Sequence, residues 1–335
     1  MAATIKDVAR ETNLAISTIS KYMNGGTVRK RNRILIEDAI KRLGYVPSSA
    51  ARGLRTSRSY MIGVMGGCIN NPHTASILGE VETKLRKEGY SLNYVSPGWS
   101  DAKADELVRY LVDRGVDGLL ITPENYDLEF LRYVGEKQIP VVMLESGSGR
   151  ENVDCVMVDC CGGAYLATEY LIKAGHRRIA MLEGPEKRKA TARERFRGFM
   201  RAMEDYDYPV YSEYLIEGEF SYKDGYEGIC RLWELEQKPT AVFIANYDLC
   251  LGAMAAIHNL GIRVPEELSV VSFDDFELSV MVRPKLTTVA QPLEKMADTA
   301  CSLINKRIQG DYSGYPEKIR LKPRLICRDS VKKIR

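Results

Sequence analysis

Short apolar runs alternate with helical patterns from residue 60 onward, and this alternation restricts the chain to few folds. The apolar runs lie at 61–65, 118–121, 141–144, 156–158, 179–182, 241–245 and 268–273. Amphipathic segments occupy 74–88, 104–114, 164–174, 193–204, 224–234 and 249–260. Strands separated by helices form parallel sheets whose two faces are covered. With about eleven strands, we predict an α/β body of two doubly wound parallel sheets.

The first 60 residues carry a strong excess of positive charge. They contain 12 Lys and Arg against 4 Asp and Glu, a net charge of +8, whereas the whole chain of 335 residues carries only +3. A basic segment joined to an acidic body is typical of proteins that bind nucleic acid through one end. Charge alone fits a solvated helical surface equally well.

Residues 4–45 predict three short helices. Thr4 and Asp7 have the spacing of an N-terminal capping box, and Asn13 tolerates the left-handed backbone of a tight turn. A second helix follows at 16–23, and a third spans 31–43 before Gly44. A short turn between the first two helices is typical of a helix-turn-helix, whose second helix enters the major groove. Any small helical bundle is the alternative.

The second helix supplies the side chains that would read DNA. Lys21 can donate to guanine, Ser17 can bond to several bases, and Ile16 can pack on a thymine methyl group. Contacts to phosphates fix the register without reading the sequence. We expect such contacts from Thr18, Ser20, Tyr22, Asn24 and the basic cluster at 29–33, which begins with Arg29.

Residues 47–58 separate the basic head from the body. Pro47 interrupts the chain, and a helix of about two turns is marginal on its own in water. The segment is therefore either a flexible linker or a hinge that becomes ordered against DNA. We predict a DNA-binding domain at 1–46, a hinge at 47–58 and a body at 59–335.

Polar residues follow the predicted strands of the body. They lie at 66–71, 122–124, Glu145, 183–184, 246–248 and 274–275. Ligands of open parallel sheets bind beyond the carboxyl ends of the strands. Carboxylates and amides at these ends suit a polyhydroxylated ligand, because each hydroxyl both donates and accepts hydrogen bonds.

Several functional classes lack support in the sequence. No run of 18 apolar residues predicts a transmembrane helix, and the N-terminus lacks a secretory pattern, so we expect a cytoplasmic protein. The chain contains no GxGxxG, P-loop, GxSxG or CxxC motif. We therefore predict no catalytic residues, metal or cofactor. His176 follows a helix end and is expected to bind the last carbonyls of that helix.

The motifs of the chain resemble the lactose/galactose-repressor (LacI/GalR) family of bacterial transcription regulators. In the head they are TIKDVA at 4–9, STISK at 17–21, Asn24-Gly25 and LGYVP at 43–47. In the body they include GHRRIA at 175–180, RFRGF at 195–199, VPEELSV at 264–270 and FDD at 273–275. The resemblance extends over nearly the whole chain.

This resemblance implies a homodimer that binds a pseudo-palindromic double-stranded operator and contacts its second copy through 74–88 and 249–260. Leu54 would insert into the minor groove as an apolar wedge. Besides the contacts named above, the resemblance adds Thr4, Ala50, Ala51, Leu54 and Arg55 as predicted DNA contacts. The body would be periplasmic-binding-protein-like, with one lobe from about 59–160 and 290–322 and the other from about 161–289 and 323–335.

The resemblance also implies a sugar-like effector bound between the two lobes. The matching positions are Asn71 with its neighbour His73, Glu145, Arg195, Phe220, Asn246 and Asp274. The chain departs from the family at His73-Thr74, where an aromatic pair is frequent, and at Tyr247, where Asp is common. Other interpretations remain open for three residues: a helix cap for Asp274, a surface ion pair for Arg195 and plain core for Phe220.

The leading hypothesis is a transcriptional repressor controlled by a small molecule. We expect it in the bacterial cytoplasm, on the nucleoid when bound to DNA, and without a membrane partner. A solute-binding protein of a transporter and a sugar-metabolising enzyme are alternatives from other classes. The missing secretory pattern and the helix-turn-helix argue against the first, and no catalytic motif supports the second. A regulator that responds to a phosphoprotein partner instead of a sugar is a further alternative.

Overall fold

A computed structural model describes residues 3–23, 26–45, 58–97, 101–122, 130–145, 152–185 and 189–334. The chain divides into two compact units, Met1–Tyr60 and Met61–Arg335. Nearly all of the predicted hinge lies outside the described residues. The predicted DNA contacts Ala50, Ala51, Leu54 and Arg55 belong to this hinge and lie outside them as well, as does Asn24.

The first unit consists of three helices. They are α1 (Ile5–Thr12), α2 (Ile16–Met23) and α3 (Lys30–Leu43). The Asp7 carboxylate accepts hydrogen bonds from the backbone N and Oγ1 of Thr4, at 2.9 and 2.7 Å. Asn13 ends α1 with a φ of 53°. The core contains Val8, Ile19, Ile36 and Ala39, all fully buried.

The second unit contains twelve described strands and nine described α-helices. The strands are β1 (Met61–Met65), β2 (Ser91–Val95), β3 (Gly118–Ile121), β4 (Val141–Leu144), β5 (Asp154–Val158), β6 (Ile179–Glu183), β7 (Leu215–Glu217), β8 (Ala241–Ile244), β9 (Ser269–Phe273), β10 (Thr287–Ala290), β11 (Lys318–Leu321) and β12 (Arg324–Ile326). The helices are α4 (Pro72–Lys87), α5 (Asp101–Asp113), α6 (Phe130–Glu136), α7 (Cys160–Lys173), α8 (Ala190–Asp205), α9 (Tyr222–Glu234), α10 (Tyr247–Asn259), α11 (Leu278–Met281) and α12 (Leu293–Ile308).

These strands form two six-stranded sheets. One has the order β11-β5-β4-β3-β1-β2, and the other has the order β12-β10-β9-β8-β6-β7. Every neighbouring pair is parallel except β10 and β12, which are antiparallel. The central strands are buried on both faces, as covered parallel sheets require. The doubly wound α/β class predicted from the alternation is correct.

The chain passes between the two sheets three times. It leaves the first sheet after β5, returns after β10 to form α12 and β11, and crosses again between β11 and β12. The last crossing takes only two residues, Lys322 and Pro323. Each lobe is therefore discontinuous in sequence. Across the described part of the chain, every helix is too short or too polar to span a lipid bilayer.

The helices α9 and α10 cross at very close range because two glycines face each other's backbone. A Cβ on Gly252 would overlap the carbonyl oxygen of Tyr222, and one on Gly225 would overlap the carbonyl oxygen of Leu249. Backbone atoms cannot move aside as a flexible side chain can. The glycines are thus a steric requirement of this helix pair.

Gly252→Ala is expected to lower the free energy of unfolding by about 2–3 kcal/mol, because the added methyl group forces α9 and α10 apart. Gly79→Ala on α4 is the matched control, since a Cβ there meets no atom within 4 Å. That variant should be stabilised by about 0.5–1 kcal/mol, the gain of alanine over glycine in a helix. Urea denaturation of both variants measures the difference. Equal effects would contradict the close-packing argument.

His176 is fully buried and links three parts of the second lobe. Its ring nitrogens lie 3.0 Å from Oγ1 of Thr240 and 3.1 Å from the carbonyl oxygen of Lys332. The expectation that His176 binds the last carbonyls of α7 is met by its backbone N, which donates to the Leu171 carbonyl oxygen at 3.2 Å. The ring instead turns toward Thr240 and the C-terminal segment. Burial lowers the pKa of His176 to about 4 from its ordinary 6.5.

The low pKa of His176 makes the fold sensitive to acid. The folded state prefers the neutral ring, so stability decreases as the pH falls from 6.5 toward 4. At pH 5 the loss should be about 2 kcal/mol relative to neutral pH. His176→Gln, which cannot titrate, should lose less stability over that range in urea melts, whereas exposed His258→Gln should behave like the wild type. An unchanged pH dependence in His176→Gln would refute this assignment.

A buried ion pair holds the first lobe together. The Arg307 guanidinium donates from Nε and Nη2 to the Asp154 carboxylate at 2.7 and 3.1 Å, and both side chains are fully buried. Nη2 also donates to Glu317 at 2.9 Å. The Asp154 carboxylate further accepts from the Glu317 backbone N at 2.7 Å. This network fastens edge strand β11 to β5 and α12.

Candidate functional site

A cavity of about 430 Å³ opens where the carboxyl ends of the two sheets face each other. Its lining comes from the segments after eight strands, three in the first lobe (β1, β3 and β4) and five in the second (β6, β7, β8, β9 and β10). The lining residues are Gly67, Cys68, Asn70, Asn71, His73, Thr74, Thr122, Glu145, Lys189, Ala190, Thr191, Arg195, Phe220, Asn246, Asp248, Asp274 and Gln291. This is the location expected for a ligand of parallel sheets.

His73 and Glu145 form an ion pair in the wall contributed by the first lobe. His73 Nε2 donates to Glu145 Oε1, and the two side chains are only 15% and 18% exposed. Burial acts to lower the pKa of His73, but the Glu145 carboxylate outweighs it and raises the pKa overall. Burial likewise acts to raise the pKa of Glu145, and His73 outweighs it and lowers the pKa. The pair therefore favours imidazolium and carboxylate.

Asn71 links the two lobes directly. Its Oδ1 caps α4 by accepting from the backbone N of His73 and Thr74, at 2.9 and 3.3 Å. Its Nδ2 donates to Asp248 Oδ2 of the other lobe at 2.8 Å. Asn246 caps α10 in the same way, by accepting from the backbone N of Leu249 at 3.0 Å. Asn is a preferred N-cap residue. Because both capping residues line the cavity, α4 and α10 begin there.

Asp274 lies at the end of β9, next to one of the chain crossings. Its Oδ1 accepts from Gln291 Nε2 at 2.7 Å, and its Oδ2 accepts from the backbone N of Tyr247 at 3.3 Å. Gln291 follows β10 at the point where the chain returns to the first lobe. Asp274 is therefore hydrogen-bonded to a connection between the lobes.

Arg195 enters the cavity from the second turn of α8. It is 5% exposed, its Nη1 donates to the carbonyl oxygen of Ala245 at 2.6 Å, and its guanidinium carbon lies 3.9 Å from the ring centroid of Phe273. Its Nε is buried and has no hydrogen-bond partner among the described residues. A buried, incompletely paired guanidinium beside a cavity is a strong candidate for ligand recognition.

Three residues of the cavity adopt a left-handed backbone. Glu145, Phe220 and Asp274 have φ values of 69°, 57° and 73°. This conformation costs a residue other than glycine about 1–2 kcal/mol, and it clusters at functional sites. All three residues follow a strand, where the chain must turn sharply to direct a side chain into the cavity. The Phe220 ring in turn requires a glycine at position 184, because a Cβ there would overlap it.

A smaller cavity of about 20 Å³ lies behind Glu145 in the first lobe. Its lining is mostly apolar, with Ile77, Val81 and Tyr94 among its residues. The Tyr94 hydroxyl donates to the carbonyl oxygen of Gly67. Tyr94 therefore lines this small chamber and not the large cavity.

The head presents a second candidate site on α2. Ile16, Ser17 and Lys21 are exposed, and Ile16 is an apolar side chain that is 44% exposed. Thr18 and Tyr22 are half-buried, and the Tyr22 hydroxyl donates to Glu37 Oε1 at 2.8 Å. Arg29 and Thr4 are exposed near the ends of α3 and α1. The three predicted base-reading residues therefore share the solvent-facing part of α2, while Ile19 points into the core.

Comparison with known proteins decides the family. Residues 4–48 match the family described as bacterial regulatory proteins of the lacI family, and residues 168–331 match a periplasmic binding protein-like domain. The HTH-type transcriptional repressor PurR of Haemophilus influenzae is 35% identical over 99% of this chain and 99% of its own length. The chain belongs to the LacI family.

Solved structures of LacI-family proteins have the same architecture. The lac repressor dimer bound to operator and the anti-inducer ONPF has a TM-score of 0.88 and 25% identity, over 99% of this chain and all of the other. The transcriptional regulator CelR in complex with cellobiose has a TM-score of 0.74 and 29% identity, over 98% of this chain and 99% of its own. The chain therefore combines a LacI-type DNA-binding head with a ligand-binding body, and its homologues are transcription regulators.

The seven effector positions taken from the LacI family meet in one place. Asn71, His73, Glu145, Arg195, Phe220, Asn246 and Asp274 all line the large cavity. Two of the other interpretations do not match the structure. Arg195 is buried and not in a surface ion pair, and Asp274 does not cap the start of α11. Phe220 is 9% exposed, so it is largely buried and also faces the cavity.

Not every polar strand end reaches the cavity. Glu183, Gly184 and Asp275 do not line it. Asp275 instead forms an ion pair with Arg328 at 2.7 Å. Burial acts to raise the pKa of Asp275, but the hydrogen bond from Arg328 outweighs it and lowers the pKa. Its role is to attach the C-terminal segment to β9 and β10.

Sequence reasoning missed four lining residues: Lys189, Ala190, Thr191 and Gln291. Lys189 and Thr191 begin α8, which starts several residues beyond the end of β6. Gln291 follows β10, which is fully buried but contains two threonines and so does not appear as an apolar run in the sequence. Within the described residues, no cluster of His, Cys, Asp and Glu is arranged to hold a metal ion.

Proposed function

We propose that this protein represses transcription by binding a pseudo-palindromic operator as a homodimer and that a small metabolite in the large cavity controls this binding. The observation that supports the proposal is the convergence of polar strand-end residues from both lobes on one cavity, in a chain with a helix-turn-helix head. Ile16, Ser17 and Lys21 would contact base edges. Thr4, Thr18, Tyr22, Asn24 and Arg29, with the hinge residues Ala50, Ala51, Leu54 and Arg55, would complete the DNA contacts.

Control would operate through the angle between the lobes. The cavity is lined from both sides, so a ligand stabilises one relative position of the lobes over others. Asn71 and Asp248 already connect the two sides, and Gln291 lies on a crossing of the chain. A change in this angle in a dimer would alter the separation of the two hinges and thus the operator affinity, which is a coupling between two sites. The protein would act in the cytoplasm and without an enzymatic step.

Capture of genomic DNA tests the proposal. The purified chain is incubated with sheared DNA of its own genome near physiological salt, where non-specific phosphate binding is suppressed, and the retained DNA is sequenced. Enrichment of a short palindrome supports the proposal, and the genes beside it indicate the pathway of the effector. If neither the protein alone nor the protein with a metabolite extract enriches any sequence, the proposal is wrong.

We place part of the dimer contact on α10 and the neighbouring α9, where Leu251 is 37% exposed and Tyr222 is 49% exposed. Leu251→Glu should raise the dimer dissociation constant by about tenfold or more, because a charge would be buried against the second copy. Sedimentation velocity measures the change. Glu227→Lys on the same pair of helices is the control, and a dimer unaffected by Leu251→Glu would place the contact elsewhere.

A further inference from the structure

Side chains of the two lobes meet beside the large cavity. Asn71 of the first lobe donates from Nδ2 to Asp248 Oδ2 of the second lobe at 2.8 Å. The His73 ring of the first lobe lies 6.4 Å from the ring of Phe276, which follows β9, and the two ring planes make an angle of 81°. Phe276 also contacts Tyr247 edge to face, with ring centroids 5.4 Å apart. We call these five residues the clasp.

The clasp contains both positions at which the chain departs from the LacI-family pattern in the body. His73 stands where an aromatic pair is frequent, and Tyr247 stands where Asp is common. Both rings contact the ring of Phe276. Edge-to-face packing at these separations is favourable beyond the apolar area that it buries. The two departures therefore belong to one set of contacts between the lobes.

Each half of the clasp is also held within its own lobe. Glu145 Oε1 accepts from His73 Nε2, which fixes the orientation of the imidazole ring from the first lobe. Asp274 Oδ2 accepts from the backbone N of Tyr247 at 3.3 Å, and Asp274 Oδ1 accepts from Gln291 at a crossing of the chain. Because these groups are ordered by their own lobes, less conformational entropy is lost when the lobes come together.

The contacts of the clasp can form only while the two lobes are close together. Contacts that exist in one conformation and not in another shift the population toward the first, with or without a ligand. The hydrogen bond from Asn71 ends on a carboxylate, and such bonds are stronger than those between neutral groups. Asn71, His73 and Asp248 line the cavity, whereas Tyr247 and Phe276 are not among the described residues that line it.

We propose that the clasp holds the two lobes in this relative position before any effector binds, and that Tyr247 and Phe276 act as positioning residues from outside the cavity. An effector then enters a cavity that is already assembled, so none of its affinity is lost to bringing the lobes together. This consequence rests on the proposed function. The test uses neither DNA nor effector, so the two proposals can fail separately.

The decisive experiment exchanges the two partners of the hydrogen bond between the lobes. Asn71→Asp retains an N-cap for α4, because Asp caps as well as Asn, but it sets a carboxylate against Asp248. Adding Asp248→Asn restores an amide opposite a carboxylate, with the two groups exchanged between the lobes. The readout is backbone hydrogen exchange of the effector-free, full-length protein, followed by mass spectrometry at residues 246–250 of the second lobe.

We expect exchange at 246–250 to accelerate by about tenfold in Asn71→Asp, since losing a hydrogen bond to a charged group lets the lobes separate more often. The double variant should return toward the wild-type rate. Wild-type exchange in Asn71→Asp, or a double variant that is no slower than Asn71→Asp, would overturn the proposal. Should Asn71→Asp not fold, Asn71→Ser replaces it, because Ser also caps a helix but is too short to reach Asp248.

Asn305→Asp is the matched control for this change. Asn305 donates to Glu88, and both residues belong to the first lobe, so the substitution sets two carboxylates against each other without affecting a contact between the lobes. It should leave exchange at 246–250 at the wild-type rate. Acceleration there by Asn305→Asp equal to that by Asn71→Asp would show that general destabilisation, and not the clasp, controls the exchange.

Phe276→Leu tests the aromatic half of the clasp, because it keeps an apolar side chain but removes the ring. Exchange at residues 73–75 of the first lobe should accelerate by about threefold or more, as expected for the loss of edge-to-face contacts. Tyr211→Leu is the control, since it removes a ring from an edge-to-face pair with Tyr214 within the second lobe. It should exchange like the wild type at 73–75. Unchanged exchange in Phe276→Leu would overturn the positioning role of Tyr247 and Phe276.

Discussion

Arg307→Met is expected to lower the free energy of unfolding of the body by about 3–5 kcal/mol, because it leaves a buried carboxylate without its counter-charge. Arg307 and Asp154 are both fully buried, and Glu317 depends on the same guanidinium. Methionine fills a similar volume, so the loss would reflect the unpaired Asp154 charge rather than a cavity. Urea denaturation followed by circular dichroism measures the change.

Arg320→Met is the matched control for Arg307. Its guanidinium is 46% exposed and lies 3.2 Å from Glu194, an ion pair of the kind that solvent screens. That substitution should cost less than about 1 kcal/mol. If the two variants were destabilised equally, the buried network would not be what fastens β11 and α12 to the first lobe.

Combined replacement of Ser17 and Lys21 by alanine is expected to reduce specific operator affinity by about a hundredfold or more. Each direct contact to a base edge contributes about 1–3 kcal/mol of discrimination, and contacts at separate bases add. Both residues are exposed on α2, so their removal leaves the core of the head around Ile19 unchanged. Fluorescence anisotropy with the captured operator, at one fixed salt concentration, measures the loss.

The same titration with an unrelated duplex separates base reading from phosphate binding. The double variant should bind the unrelated duplex within severalfold of the wild type, since only one of its positive charges is removed. Lys41→Ala, which removes one exposed charge from the last turn of α3, is the control and should retain operator preference. An equal loss of affinity for both duplexes in the double variant would contradict a base-reading role for α2.

The sequence predicted the buried centre of each sheet but not its edges. Strands β2, β7, β11 and β12 were not recognised, and each of them is the edge strand of a sheet. Edge strands are covered on fewer sides, so their sequences are more polar, as in Ser91–Val95 and Lys318–Leu321. Strand β10 was missed for another reason. Its Thr287 and Thr288 are fully buried but bind polar groups of the C-terminal segment instead of forming an apolar run.

These omissions explain which parts of the cavity could be anticipated. Glu145, Asn246 and Asp274 directly follow strands that have strong apolar patterns, so the rule for ligands of parallel sheets located them. Gln291 follows an unrecognised strand. Lys189 and Thr191 lie on a helix start that is separated from its strand by a loop, so their distance from Phe220 and Arg195 depends on how that loop folds.

The left-handed backbone at Glu145, Phe220 and Asp274 also bears on how such a scaffold can diversify. A β-branched replacement at any of these positions would strain the turn itself, so few substitutions there leave a folded chain. Lys189 and Thr191 have neither this backbone constraint nor the ion pair that joins His73 to Glu145, and their side chains line the same cavity. New ligand preferences are therefore expected to evolve first at these two positions, while the three constrained turns are retained.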